Sequence, residues 1–271
     1  MLSLIKPWLD RVRAWWQPAQ RPAGVREAEL HAWYRTELGR SLQTAERAVA
    51  EEVLDVGYHP FVVQLDVGLH AALFDAHQLK CKSALVISRQ EINAHCPSAQ
   101  AQLEHLPLQA ESVDCIIIHH ALEYSEQPHR VLREAVQALR PGGQLLIMGF
   151  NPFGFWGLAR LVPWRWRQRP WQGRFLTLAR VEDWCELLDC EAVRRTWFYH
   201  WPPMRHASWK QRGRRLNQLL RLLFPRLGAV YALVVRKNQL QLLSNHRWQP
   251  SFFFRGKAMT RKEQAVNRWK S

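Results

Sequence analysis

The 271-residue chain has few cysteines and no long apolar run. Its five cysteines, Cys81, Cys96, Cys115, Cys185 and Cys190, show none of the C-x-x-C spacing of zinc or redox sites. Their odd number and wide spacing favour reduced thiols over a disulfide framework, and no metal site is expected. No apolar stretch approaches the roughly 20 residues that a membrane-spanning helix needs.

The first 16 residues lack the unbroken apolar core of a signal peptide, because Lys6, Asp10, Arg11 and Arg13 interrupt them. Together these absences predict a cytoplasmic protein. The spacing of apolar residues predicts a short basic amphipathic helix over residues 1–20. Such a helix packs on the domain or lies on a membrane surface, so peripheral attachment to the inner membrane stays open.

Acidic residues are scarce in the second half of the chain. Residues 1–150 carry 14 Lys and Arg against 17 Asp and Glu, whereas residues 151–271 carry 24 against 6. Ten of the 14 tryptophans also lie in the second half. This basic, aromatic half suits contact with RNA or with an anionic membrane surface, and we keep both as candidate partners.

Short apolar runs alternate with amphipathic helical patterns from residue 56 to residue 237. Runs at 113–118 and 144–149 flank a helical pattern at 128–139, with a turn expected at Pro141-Gly142-Gly143. This order predicts a strand–helix–strand unit of a parallel sheet. The other predicted strands are 61–67, 83–87, 101–103, 192–199 and 228–235, and the other predicted helices are two within 26–54 and those at 69–79, 178–188 and 209–224.

The segment 106–151 also carries a dense, ordered set of motifs. It resembles the type-11 kind of class I S-adenosylmethionine-dependent methyltransferase, the group that includes quinone- and biotin-pathway methylases. Three further motifs resemble a proteobacterial branch of this family: His120-Ala121-Leu122-Glu123, Gly149-Phe150-Asn151-Pro152 and Trp156-Gly157. The motifs are Leu106-Pro107-Leu108, Ser112-Val113-Asp114, Ala121-Leu122-Glu123-Tyr124, Leu132-Arg133-Glu134 and Leu139-Arg140-Pro141-Gly142-Gly143.

The resemblance implies an α/β fold with a Rossmann-like, mostly parallel seven-stranded sheet. Helices would cover both faces, and the last strand would insert antiparallel beside the sixth. Residues 1–55 would form N-terminal helices on a core domain of residues 56–237. That domain would carry a basic Trp/Arg-rich insertion near 153–175 and a helical insertion near 203–226, followed by a poorly ordered basic tail at 238–271.

The same resemblance implies that S-adenosylmethionine is the cofactor and places its site at the ends of the strands. Family members have a Gly-x-Gly-x-Gly turn after the first strand, and here Asp66 and Gly68 match while His70 and Ala72 replace glycines. Ser88 and Gln102 replace the acids that hold the ribose and the adenine. The residues expected to contact the cofactor are Asp66, Gly68, His70, Ser88, Gln102, Leu103, Ile118 and His119.

His120, just past the fourth strand, is the candidate catalytic base, because an imidazole with an ordinary pKa near ~6.5 can take a proton from an acceptor hydroxyl. Glu123, one turn later, could orient it. An alternative role for His120 is a structural hydrogen bond to Glu123, and His119 could simply pack beside the cofactor. The substrate mouth would be lined by Asn151, Phe155, Trp156, Trp164, Arg165 and Trp166.

These residues predict a methyltransferase acting on a small, lipophilic or anionic acceptor that the sequence does not identify. The altered glycine turn leaves a second class open. In it, a weakly active or inactive methyltransferase-like protein binds RNA or an anionic membrane surface through residues 151–271.

Overall fold

The computed structural model describes residues 23–55, 60–67, 72–74, 81–89, 97–159, 173–200 and 219–238. All of these lie in one compact unit, Met1–Gln239. The helix predicted over residues 1–20, most of the helix predicted at 69–79, most of the 209–224 segment and almost all of the 238–271 tail lie outside the described residues. Within 69–79, Leu73 and Phe74 are described and form a bend instead of a helix.

Among the described residues, two helices precede the sheet, α1 (Ala23–Tyr34) and α2 (Glu37–Val53). The Thr36 hydroxyl caps α2 by accepting a hydrogen bond from the Gly39 amide at 3.2 Å. Gly39 allows the two helices to approach closely, since a Cβ there would lie 2.5 Å from the Trp33 carbonyl oxygen and the Tyr34 Cα. Both helices contribute side chains to the core of the domain.

The core is a seven-stranded sheet in the order β3-β2-β1-β4-β5-β7-β6. The strands β1 to β5 pair in parallel, and β7 runs antiparallel between β5 and β6. This confirms the predicted fold class, including the insertion of the last strand beside the sixth. The strands are β1 Phe61–Asp66, β2 Ser83–Ser88, β3 Ser98–Gln100, β4 Val113–His119, β5 Leu139–Phe150, β6 Cys190–Phe198 and β7 Val230–Lys237.

Four further helices whose bounds are described connect the strands, and the predicted helix at 128–139 is among them. Pro128 begins that helix at a position where a missing amide hydrogen costs nothing, and Val131, Leu132 and Ala135 pack its buried face on the sheet. The helices are α3 Ala121–Tyr124, α4 Pro128–Ala138, α5 Phe155–Ala159 and α6 Leu178–Glu186. Residues 219–223 are also helical. A 3₁₀ turn at Pro225–Leu227 precedes β7.

Two further local predictions are wrong. The third strand is Ser98–Gln100 and not residues 101–103, because β2 ends at Ser88 and its carbonyl accepts its last bond from the Ala101 amide. The chain turns there, with the His105 amide donating to the Gln102 carbonyl. The Pro141-Gly142-Gly143 segment is part of an irregular β5, not a turn before it.

Among the described residues, no helix combines the length and the apolar character that crossing a membrane requires.

Candidate active site at the ends of β1 and β4

The carboxyl ends of β1 and β4 lie side by side, with Asp66 paired in register to His119. The order of strands along the chain reverses between these two neighbours. In open parallel sheets, ligands bind beyond the strand ends at such a switch point. Predicted cofactor residues from both strands therefore meet where the fold favours a ligand.

A cluster of buried polar side chains fills this position. It comprises Tyr34, Glu46, Asp66, His119, His120 and Glu123, which we call the switch-point cluster; each member has 3% or less of its surface exposed. Buried polar groups are costly unless they are hydrogen-bonded. The hydrogen bonds within the cluster therefore determine whether these side chains can be buried together.

Glu46 on α2 is the centre of the cluster. Its Oε2 lies 3.1 Å from His119 Nε2, and its Oε1 lies 2.9 Å from His120 Nε2. The Tyr34 hydroxyl donates to the same carboxylate, at 2.9 Å from Oε1 and 3.2 Å from Oε2. The carboxylate thus joins the N-terminal helices to the end of β4.

His120 has an unusual backbone conformation. Its φ of 54° and ψ of 7° lie in the left-handed region, which residues other than glycine seldom adopt. The turn directs the imidazole between two carboxylates, with Nδ1 at 2.7 Å from Glu123 Oε2 and Nε2 on Glu46. Backbone strain held by its surroundings is a feature of functional sites, although it does not identify the function.

Burial and charge oppose each other in this cluster. Burial alone would lower the pKa of His120, but the Glu123 and Glu46 carboxylates outweigh it and raise that pKa to about 9. Burial would lower the pKa of His119 also, and Glu46 and Asp66 raise it instead. For Glu46, burial would raise the pKa, yet the two histidines lower it to about 2. These shifts favour the charged forms of Glu46, His119 and His120 in contact with one another.

Glu123 joins the cluster to the end of β5. Its Oε1 accepts a hydrogen bond from the Phe150 amide at 2.6 Å, and its backbone carbonyl accepts one from the Arg174 amide at 2.9 Å. Burial is the main reason that the pKa of Glu123 is raised, despite the opposing effect of His120. Glu123 therefore holds β5 and the segment leading to α6 as well as orienting His120.

A cavity of about 360 Å³ opens beside the ends of β2 and β3. Gln102, the residue aligned with the adenine-binding position, is part of its wall, together with Arg89, Glu104 and Arg130. Small-molecule sites commonly begin at about 300 Å³. The cavity thus has room for part of a nucleoside at the side of the sheet where the resemblance places adenosine.

Arg89 directly follows the ribose-binding position at Ser88 and is held by two acids. Its guanidinium donates to Glu27 of α1 at 2.7 Å and also pairs with Glu104. Ser88 itself is buried at the end of β2. The acid that the family uses at the ribose-binding position is thus absent. The next residue is an arginine whose charge is paired with two carboxylates.

The remaining predicted site residues are not all brought together. Leu103 and Ile118 are buried in the apolar core. Asn151 is buried, and its Nδ2 donates to the carbonyls of Arg226 and Gly228, both at 2.9 Å. Trp156 is fully buried. Phe155 is partly buried against the core. Gly68, His70, Trp164, Arg165 and Trp166 lie outside the described residues.

Glu46 and Tyr34 are candidate functional residues that the sequence motifs do not identify. A signal for Glu46 exists in the sequence, because it falls on the buried stripe of α2 formed by Gly39, Leu42, Ala50 and Val53. A charge on the apolar face of a helix requires a partner inside the protein. The strand-end motifs give no indication that a helix about 70 residues upstream supplies that group.

Comparisons with known proteins agree with this architecture. Residues 65–147 match the family model described as a methyltransferase domain. The uncharacterized protein YafS of Escherichia coli K12 is 34% identical over 170 residues, which cover 62% of this chain and 67% of that protein. The chain belongs to the type-11 family of class I S-adenosylmethionine-dependent methyltransferases.

Solved structures share the fold at low sequence identity. An S-adenosylmethionine-dependent methyltransferase of Thermotoga maritima superposes with a TM-score of 0.55 and 18% identity, over 73% of this chain and 90% of that one. The Haloferax volcanii complex between a methyltransferase activator and a methyltransferase superposes with a TM-score of 0.54 and 14% sequence identity. The match covers 79% of this chain and 97% of that one. A Mesorhizobium loti methyltransferase superposes with a TM-score of 0.51 and 16% sequence identity, and the match covers 70% of this chain and 97% of that one.

Proposed function

We propose that this protein transfers a methyl group from S-adenosylmethionine to a small, lipophilic or anionic acceptor at the switch-point cluster. The observation that carries the proposal is the cluster itself, which places Asp66, His119 and Glu46 at the ends of β1 and β4. Ligands of open α/β sheets bind at this position, and the family supplies the chemistry.

The residues present fit the cofactor at two places. The cavity beside Gln102 suits the adenosine, since the amide oxygen of glutamine can accept a hydrogen bond from the adenine amino group. The carboxylates of Glu46 and Asp66 would favour a positively charged sulfonium nearby. The bound cofactor supplies an electrophilic methyl group, and the protein's part is to hold it in line with the acceptor.

His120 has a constrained role in this geometry. Both of its ring nitrogens contact carboxylates, and a pKa of about 9 keeps the ring protonated at neutral pH. A protonated imidazole cannot accept a proton. We propose that His120 and Glu123 position the strand ends in this conformation, and that His120 acts as a base only when Glu46 leaves its Nε2.

The experiment uses the full-length protein with S-adenosylmethionine labelled in its methyl group. We expect a rise in melting temperature with the cofactor and with its demethylated product, and transfer of label to a component of a cell extract. Gln102→Ala should weaken cofactor binding by about tenfold, the loss of a hydrogen bond of roughly 1.4 kcal/mol.

Gln109→Ala is the matched control, because Gln109 is also exposed but does not line the cavity. Its cofactor affinity should equal that of the unmodified protein. Absence of any stabilisation by the cofactor, combined with no labelled product, would exclude the proposed activity.

A second candidate function is attachment to an anionic membrane through the basic half. The favouring observation is a run of apolar side chains at residues 219–224 that face solvent next to Arg221. Leu219 is 55% exposed, Leu222 81%, Leu223 59% and Phe224 47%. Apolar side chains beside arginines suit the boundary between headgroups and acyl chains.

A further inference from the structure

Glu46, His119 and His120 place three metal-ligating side chains in one small, fully buried volume. One donor atom from each lies within 4.8 Å of the other two. All three side chains are 0% exposed. We propose that these residues form a binding site for a single divalent transition-metal ion such as Zn²⁺.

The donor set is the first argument. Two imidazole nitrogens and one carboxylate oxygen are ligands that zinc and iron(II) share in catalytic sites, whereas magnesium and calcium prefer oxygen alone. The two Nε2 atoms both face the Glu46 carboxylate, at 3.1 Å and 2.9 Å. Tetrahedral ligands ~2.1 Å from zinc lie ~3.4 Å apart, so each of these two separations would lengthen by about half an ångström or less when an ion enters.

The second argument is the set of groups behind the two imidazoles. His120 Nδ1 contacts Glu123 Oε2 at 2.7 Å, and His119 Nδ1 points to Asp66 Oδ1 at 3.5 Å. Metal-binding histidines usually donate their second nitrogen to such a carboxylate, which fixes the ring and leaves Nε2 for the metal. His120 has this arrangement, whereas His119 Nδ1 lies beside the Asp66 carboxylate without a hydrogen bond to it.

The third argument is an incomplete contact. His119 Nδ1 is buried and has no hydrogen-bond partner among the described residues. A buried nitrogen without a partner costs free energy. A small shift of the ring, as it binds an ion through Nε2, would bring Nδ1 within hydrogen-bonding distance of Asp66.

Charge and coordination number complete the argument. Three carboxylates, those of Glu46, Asp66 and Glu123, surround the two imidazoles. A dication bound through the two Nε2 atoms would displace protons from the rings and replace the positive charge that offsets these carboxylates. Three protein ligands leave a position for water or another oxygen ligand. The site shares the switch-point cluster with the proposed function and adds a metal-ligand set to it, but zinc binding does not require methyl transfer.

The test measures zinc in the full-length protein without cofactor. The protein is stripped with a chelator, equilibrated with Zn²⁺, desalted and assayed by elemental mass spectrometry. We expect about one zinc per chain, and at least ~tenfold weaker binding in Glu46→Gln and in His119→Gln. His129→Gln is the matched control, because His129 lies on the exposed surface, and it should bind like the unmodified protein.

Circular dichroism establishes that each variant is folded. A zinc content below about 0.1 per chain in the unmodified protein would overturn the proposal, as would an unchanged zinc content in a folded Glu46→Gln. If both ligand variants fail to fold, Co²⁺ titration of the unmodified protein decides. A ligand-field spectrum of nitrogen and oxygen coordination that Zn²⁺ displaces supports the site, and the spectrum of free aqueous Co²⁺ alone overturns it.

Zinc binding and methyl transfer are measured on separate samples. Loss of one result therefore leaves the other standing, and either proposal can fail alone.

Discussion

Asn151 shows how a polar residue at the end of a strand can hold a loop beside a site. Its Nδ2 donates to two carbonyls of the turn before β7, and its Oδ1 accepts from the Phe153 amide at 3.1 Å. Its side chain is thus fully used inside the chain, at the edge of the predicted substrate mouth. Substrate binding by Asn151 stays a prediction, while its structural contacts are observed.

Replacing this residue should measure its structural role. We expect Asn151→Ala to lower the free energy of unfolding by about 2–4 kcal/mol, because the buried Gly228 carbonyl and the partly buried Arg226 carbonyl lose their donor. Asn238→Ala, at an exposed position after β7, should cost about 0.5 kcal/mol or less. Urea denaturation followed by circular dichroism gives both values. Equal stabilities of the two variants would argue against this account.

At the scale of the element, α2 is a helix whose apolar stripe contains a carboxylate. Gly39, Leu42, Ala50 and Val53 share the buried face with Glu46. The helix is therefore attached to the sheet by packing and also by the hydrogen bonds of Glu46 to the two histidines and Tyr34. Removal of one partner from such a buried charged group is far more costly than loss of a surface ion pair.

Two glutamates on this helix provide a direct comparison. Glu46→Ala should lower the free energy of unfolding by about 3–5 kcal/mol. Glu51→Ala, which breaks only the solvent-exposed pair with Arg47 at 3.0 Å, should cost about 0.5 kcal/mol or less. Thermal and urea unfolding in the presence of a chelator separate this effect from metal binding. A stability loss no larger for Glu46→Ala than for Glu51→Ala would contradict the prediction.

Most strands could be predicted from the sequence because buried parallel strands are continuous apolar runs. Strands β1 and β4 stand out in this way, and the motifs between Leu106 and Gly143 add the family and its topology. Strand β3 could not be located, because its three residues, Ser98–Gln100, are mostly exposed and polar. Its position follows only from where β2 ends.

The candidate site was harder to predict than the fold. Motif positions identify Asp66, His119 and His120, since these lie at strand ends. Glu46 belongs to a helix far upstream, and its partners depend on how that helix packs on the sheet. Helix packing is a tertiary contact that the periodicity of one segment does not specify.

At the scale of the whole molecule, charge and exposed apolar surface occur in the same half of the chain. Residues 151–271 carry the whole positive excess, and the exposed leucines at 219–224 lie within them. Each lysine or arginine near an anionic surface contributes up to about 1 kcal/mol of attraction. Attachment of the protein to a membrane through this half should therefore depend on both charge and apolar contact.

Vesicle sedimentation tests this attachment. The full-length protein should bind vesicles that contain phosphatidylserine, lose affinity as salt rises, and lose at least about tenfold on Leu222→Asp, because the change removes apolar contact and adds repulsion. Leu187→Asp is the control, since Leu187 is 82% exposed and lies outside this run. Binding to RNA but not to vesicles, or equal loss in both variants, would speak against membrane attachment.

The position of β7 also affects the order in which the chain can fold. β6 pairs with β7 and β5 pairs with β7, so the last strand of the sequence joins two strands made earlier. During synthesis, residues 190–198 emerge well before their partner at 230–237. That side of the sheet can therefore form only after nearly the whole core domain has been synthesised. Until then, β5 and β6 have unpaired edges to which chaperones or other nascent chains can bind.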